Sequence, residues 1–118
     1  MGKLLKQVFW VASSLDDLRD FPVSVREVFG FAIFVAQQGG KHQAAKPLKG
    51  FGGAGVLEVV EDDDGSTYRC VYTVKFAQCV YVLHAFQKKS TKGIKTSKTD
   101  LELIRQRLAA AKKHYEEG

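Results

Sequence analysis

Three neighbouring runs decide the fold: Val56-Leu57-Glu58-Val59-Val60-Glu61, Ser66-Thr67-Tyr68-Arg69-Cys70-Val71-Tyr72-Thr73-Val74-Lys75, and Gln78-Cys79-Val80-Tyr81-Val82-Leu83-His84-Ala85-Phe86. Each is dense in β-branched and aromatic residues, the side chains that suit a pleated, half-buried surface. Asp62-Asp63-Asp64-Gly65 punctuates the first pair and Phe76-Ala77 the second. The pattern predicts three consecutive antiparallel strands over 56–61, 66–75 and 78–86.

Register follows from the turns. A two-residue turn at Phe76-Ala77 predicts Tyr72 opposite Tyr81 and Cys70 opposite Leu83 on one face. Val71 then meets Val82, and Arg69 meets His84, on the other. A four-residue acidic loop sets Glu58 across from Arg69, so one row reads Glu58, Arg69, His84. A loop two residues longer or shorter keeps Glu58 on that face, whereas a change of one flips it away. Cys70 and Cys79 fall on one face but ~13 Å apart along the hairpin, beyond disulfide reach. Both read as small buried hydrophobes.

Helices flank the strands. Residues 4–12 read as a short first strand, and Ser14 with Asp17 three residues on predicts a capped helical turn. Pro22 suits the start of a second helix over 23–38, with Val25, Val28, Phe29, Ala32, Ile33 and Ala36 at helical spacing. Phe31, Phe34 and Val35 widen its apolar surface beyond one stripe, which predicts a sandwiched or partner-covered helix. A last helix, capped by Thr96 or by the box Thr99…Glu102, carries the stripe Leu101, Ile104, Leu108, Ala111, Tyr115. The expected architecture is α+β: β-α-α-β-β-β-α, a small antiparallel sheet with two N-terminal helices and a C-terminal helix. The 118 residues suffice for one domain, 1–118, and for no second core.

Composition narrows the function classes. Hydrophobic content of 45% and charged content of 26% exclude a disordered or low-complexity chain. Two cysteines are too few for a secreted disulfide scaffold, and no apolar stretch reaches the ~20 residues of a membrane helix. The reading is cytoplasmic, with no membrane partner. His42, His84 and His114 show no ligand spacing, so neither a metal nor another cofactor is expected. Gly50-Phe51-Gly52-Gly53-Ala54-Gly55 matches G-x-G-x-x-G, but a Pro47-containing loop precedes it and a strand follows. The dinucleotide motif needs the reverse, a strand before and a helix after, so the match reads as a loop.

The net charge of +5 is concentrated. Lys88, Lys89, Lys92, Lys95 and Lys98 follow His84 with no acid among them, and Lys46 and Lys49 lie in a second acid-free stretch. Both border one end of the predicted sheet, with Phe86 beside them as a stacking ring. Clustered lysines with an aromatic suit the backbone and splayed bases of single-stranded nucleic acid.

Several segments together resemble the phage-derived Gp49-like branch of the RelE/HigB toxin superfamily: Lys46-Pro47-Leu48-Lys49-Gly50, Leu57-Glu58, Tyr68-Arg69-Cys70-Val71-Tyr72, Leu83-His84-Ala85-Phe86-Gln87-Lys88-Lys89-Ser90 and Lys92-Gly93-Ile94-Lys95-Thr96. The resemblance runs from about Lys46 to Leu108. It implies the toxin of a type II toxin–antitoxin system, a metal-independent, ribosome-dependent endoribonuclease of mRNA. The implied partners are a cognate helix-turn-helix antitoxin and mRNA on the ribosome. Val59-Val60 stands where relatives often carry arginine, and Ser97 where they often carry proline.

Metal-free RNA cleavage needs a base for the 2′-OH, cations around phosphorus and an acid for the leaving oxygen. Arg69 fits the phosphate oxygens with its planar fork, Lys88 adds charge, and His84 or Glu58 serves as base. Lys46, Lys49, Phe86, Lys89, Lys92 and Lys95 are the expected RNA contacts. The alternative keeps the fold and drops the chemistry: a DNA gyrase inhibitor, or a protein that only binds nucleic acid or antitoxin.

Overall fold

The structure, a computed structural model, describes residues 4–88 and 96–118. Its elements run β1 (Gln7–Trp10), α1 (Ser14–Arg19), α2 (Val23–Gln37), β2 (Lys46–Pro47), β3 (Val56–Asp63), β4 (Ser66–Thr73), β5 (Cys79–Lys88) and α3 (Lys98–Glu117). The five strands form one sheet in the order β1-β5-β4-β3-β2. The expected α+β class and helix placement hold, with two differences. β1 runs parallel to β5, Gln7 pairing with Cys79 and Trp10 with Val82, so the sheet is mixed rather than antiparallel. The two-residue strand β2 pairs Lys46 with Glu58 and Pro47 with Leu57. Among the described residues no helix is long and apolar enough to cross a membrane.

The acidic turn is tighter than its four acidic-and-glycine letters suggest. Asp63 still pairs with Ser66, leaving only Asp64 and Gly65 at the tip, at φ 48° and 80°. Two consecutive positive φ values give the hairpin turn whose twist matches the strands. Glu58 therefore lies opposite Val71, and Arg69 opposite Val60. The shift is two residues, so Glu58 keeps the face of Arg69.

The second hairpin departs further. Thr73 pairs with Tyr81 and Tyr72 with Val82, but Val71 pairs with His84, so Leu83 is an extra, bulged residue. A bulge reverses the in–out alternation beyond it. Val80 and Val82 join Tyr68, Cys70 and Tyr72 under α2, while Tyr81 and Leu83 pack with Val71 under α3. Beyond the bulge Ala85 joins the α2 side, and His84 and Phe86 turn to the face of Arg69. The expected pairs Tyr72–Tyr81, Cys70–Leu83, Val71–Val82 and Arg69–His84 are thus replaced. Arg69 instead faces Phe86, and Cys70 faces Ala85. Cys70 packs under α2 and Cys79 at the edge of the α3 cluster, on opposite faces, and both are free thiols. Burial pushes the Cys70 thiol up to about 12, which leaves it inert.

Three layers result. α2 lays Val25, Phe29, Ala32, Ile33 and Ala36 on one face of the sheet, as its spacing predicts. Phe31 and Phe34 remain 57% and 40% exposed, so only part of the wide apolar surface is used within the chain. On the other face α3 seats Ile104 and Ala111 fully and Leu101, Leu108 and Tyr115 partly. Its cap is Ser97, neither of the expected threonines: the Ser97 hydroxyl accepts from the Asp100 N–H at 3.1 Å. Ser14 is likewise the first residue of α1 rather than its cap, and its buried hydroxyl donates to the Val82 carbonyl at 3.2 Å.

Candidate functional site

Polar chemistry gathers on the α3 face of the sheet, at the end nearest β2. Glu58 on β3 and Arg69 on β4 are diagonal neighbours there. The Arg69 guanidinium Nη1 donates to Glu58 Oε2 at 2.8 Å. Thr96, just before α3, donates its hydroxyl to the same carboxylate oxygen at 2.9 Å and accepts from Arg69 Nη1 at 3.3 Å. These three side chains, with Lys46, Lys49 and Leu101, line a groove of about 530 Å³. Lys46 is the register partner of Glu58, which keeps the two on one side of the sheet. The side chain of Arg69 is only 3% exposed and that of Glu58 15%. A guanidinium so far from water is tolerated because charge-assisted hydrogen bonds replace its hydration.

A second polar cluster sits beside the first, where α3 crosses β5. His84 Nε2 lies 2.9 Å from Asp100 Oδ1, and Arg107 Nη1 lies 3.3 Å from His84 Nδ1. Arginine can only donate, so Nδ1 carries the lone pair and Nε2 carries the proton, which it gives to Asp100. The same guanidinium donates to the Leu83 carbonyl at 2.9 Å and to the Ser13 hydroxyl at 3.3 Å. Ser13 in turn donates to Asp17 at 2.8 Å, tying α1, β5 and α3 together. Burial holds the His84 imidazole below its usual pKa, and the Arg107 charge lowers it further. The hydrogen bond and charge of Asp100 pull the other way without prevailing. His84 also stacks on Phe86, with ring centroids 4.4 Å apart and planes 18° from parallel.

The expected site residues therefore separate into two groups and a remainder. Glu58, Arg69, Lys46 and Lys49 converge on the groove. His84 and Phe86 stack on each other on β5, and their link to Arg69 is the register pair Arg69–Phe86. Lys88 lies two residues beyond Phe86, opposite Thr67 near the acidic turn. Lys89, Lys92 and Lys95 fall outside the described residues. Three contributors escaped the sequence reading: Thr96 as a groove hydroxyl, and Asp100 and Arg107 as the two partners of His84. Ser97 and Asp100, at capping distance just before the apolar stripe, were the available signal for Asp100. Arg107 sits between Ile104 and Leu108 on the stripe side of α3, where a solvated arginine has no place.

Comparison with known proteins locates this architecture. Among solved structures, a mutant of the Escherichia coli toxin RelE in the free state matches with a TM-score of 0.55. The match covers 91% of this chain and 97% of that one at 16% sequence identity, a likeness of fold. No curated protein matches in sequence. The sequence model of the family described as phage-derived protein Gp49-like matches residues 16–109, which hold α2, strands β2 to β5 and every residue of the groove. On that match, the chain belongs to the phage-derived Gp49-like family.

Proposed function

We propose that this single-domain protein is the toxin of a toxin–antitoxin pair and that it cuts messenger RNA on the ribosome without a metal. The observation that carries the reading is the groove, where Lys46, Lys49 and Arg69 meet one carboxylate and one hydroxyl. The RelE likeness and the family membership support the toxin role. A small antitoxin with a helix-turn-helix is the partner that such a toxin requires.

In this mechanism the scissile phosphate enters the groove and takes over the Arg69 guanidinium, whose fork matches its oxygens. Glu58, released from Arg69, accepts the proton of the 2′-OH. The 2′-oxygen attacks phosphorus and the bond to the 5′-oxygen breaks, giving a 2′,3′-cyclic phosphate. Lys46, across from Glu58, protonates the departing 5′-oxygen, and Lys49 and Lys88 offset phosphate charge along the strand. His84 is a positioning residue here, because both of its nitrogens are engaged by Asp100 and Arg107. Phe86, whose one ring face lies on His84, has its other face for a base to stack on.

One observation favours a second reading, in which the groove binds without cutting. Arg69 is closed over by Glu58 and nearly buried, so the phosphate has to displace an existing ion pair. Induction of the chain, with primer extension on ribosome-bound message, decides between the two. We expect cut sites within messages and growth arrest. The Lys46→Ala/Lys49→Ala variant, altered only at exposed positions, should cut about a hundredfold more slowly. Intact message with arrested supercoiling, or undiminished cutting by that variant, overturns the assignment.

A further inference from the structure

The glycine-rich loop that fails as a dinucleotide motif has a different use. Gly50, Phe51, Gly52 and Ala54 lie against the middle of α3 and border an open surface pocket of about 360 Å³. Its floor is apolar, with Phe51 and Phe76 both buried. Its rim is cationic: Lys75, Arg105 and Lys112 are all exposed, and no carboxylate lines the pocket. Among the described residues none of these three cations has a salt-bridge partner. Their charge stands unneutralised.

Arg105 is placed rather than loose. Its guanidinium lies over the Phe51 ring, 5.1 Å from the centroid. Gly50 makes room for it: the residue sits at φ +92°, and a Cβ there would come within 3.3 Å of Arg105 Nη2. A side chain at position 50 would therefore be strained and would crowd the guanidinium. The arrangement presents a flat cation on an aromatic support, flanked by two lysines.

We propose that this pocket is a nucleotide subsite, taking one phosphate of single-stranded RNA on Arg105 and Lys112 and stacking the adjoining base against the Arg105–Phe51 pair. The proposal rests on the RNA-cutting reading and extends its surface. Lys49 lines the groove and Gly50 lines the pocket, so the two openings adjoin across one peptide bond. Along α3, Leu101 borders the groove, and Arg105 and Lys112 follow ~6 and ~16 Å further along the axis. A strand crossing Arg69 thus has a second cationic station on the same side of the helix. An acidic protein segment would pair with the N–H edge of the guanidinium, whereas a base also uses its outward flat face.

The test is anisotropy of a fluorescein-labelled 12-nucleotide single-stranded RNA, titrated with wild type, Arg105→Glu/Lys112→Glu and Lys46→Ala/Lys49→Ala across a salt series. Circular dichroism first establishes that each variant is folded. The Arg105→Glu/Lys112→Glu variant should bind at least about tenfold more weakly, with a log–log salt slope shallower by about 0.7 for the one lost phosphate contact. Wild-type affinity and slope in that variant, with binding lost in Lys46→Ala/Lys49→Ala, overturns the subsite and leaves the RNA reading standing. No binding by wild type overturns the subsite, and the cutting of ribosome-bound message is judged separately by primer extension. Unchanged RNA affinity together with lost binding of a glutamate-rich 20-residue peptide overturns the subsite in favour of a protein-docking role.

Discussion

The two faces of the sheet come from the same alternating strands and are finished in opposite ways. Under α2 every inward side chain from Val59, Cys70, Tyr72, Val80 and Val82 is apolar or aromatic, and the helix answers with Val25, Phe29 and Ile33. Under α3 the apolar contact holds around Ile104 and Ala111 and gives way to Glu58 and Arg69 toward β2 and to His84 on β5. The helices explain the contrast. α2 carries a broad apolar stripe along its whole length, whereas the stripe of α3 begins at Leu101 and is flanked by Arg105 and Arg107. Where cover thins, polar groups are admitted, and each buried charge there is met by a specific partner. One face is apolar cover throughout, and the other gives up part of its apolar cover to polar pairing.

The largest expected effect breaks the first face. Phe29→Ala, at a fully buried position, should cost about 3–5 kcal/mol, read as a fall in the denaturant midpoint at unchanged slope. An equal loss from an alanine at Phe86, which is half-buried on the other face, would erase the contrast. Next comes Arg69→Met, which leaves the Glu58 carboxylate with Thr96 alone and should destabilise by about 1.5–3 kcal/mol. Adding Glu58→Gln should recover part of that loss, and strict additivity in the double-mutant cycle would refute the coupling.

A polar group on the apolar face sharpens the comparison. The Tyr72 hydroxyl is buried without a hydrogen-bond partner among the described residues, and burial pushes its pKa up to about 12. Tyr72→Phe removes an unsatisfied group and should raise stability by about 1 kcal/mol, measured by denaturant titration. The smallest effect is the pH response of the polar face. The folded His84 pKa lies below its ordinary 6.5, so the unfolded chain binds the proton more readily. Its contribution is full above about pH 6.5 and is lost as pH falls from there toward the folded value. Protonation would set Nδ1–H against Arg107, with Asp100 and Asp17 as the nearby acids that moderate the clash. Melting temperature should drop between about pH 7.5 and 5.5, and His84→Gln should flatten that drop.

Sequence alone was enough for the helices and central strands and for the shared face of Glu58 and Arg69 in the candidate site. Helical spacing named the buried face of α2 from Val25 to Ala36, and the period-two runs named β3, β4 and β5. Glu58 and Arg69 came out on one face because the acidic turn differed from its assumed length by an even number of residues. The bulge at Leu83 left no such mark. Nothing in Val82-Leu83-His84 distinguishes a regular strand from one that slips a residue, so Tyr72 and Tyr81 were paired across a face they do not share. The parallel strand β1 was equally hidden, since strand direction depends on a partner seventy residues away in the chain. The Asp100 and Arg107 partners of His84, and the Thr96 hydroxyl beside Arg69, depend on how α3 crosses the sheet, which is a tertiary fact and not a local one.

That distant pairing of β1 has a consequence for how the molecule comes into being. Residues 7–10 find their neighbours only after residues 79–82 have been made, and the roof over the groove waits for Leu101 and beyond. Contacts this far apart along the chain form late and slowly. A chain made only as far as β4 thus has no partner for β1, and one made short of Leu101 leaves the groove without its roof.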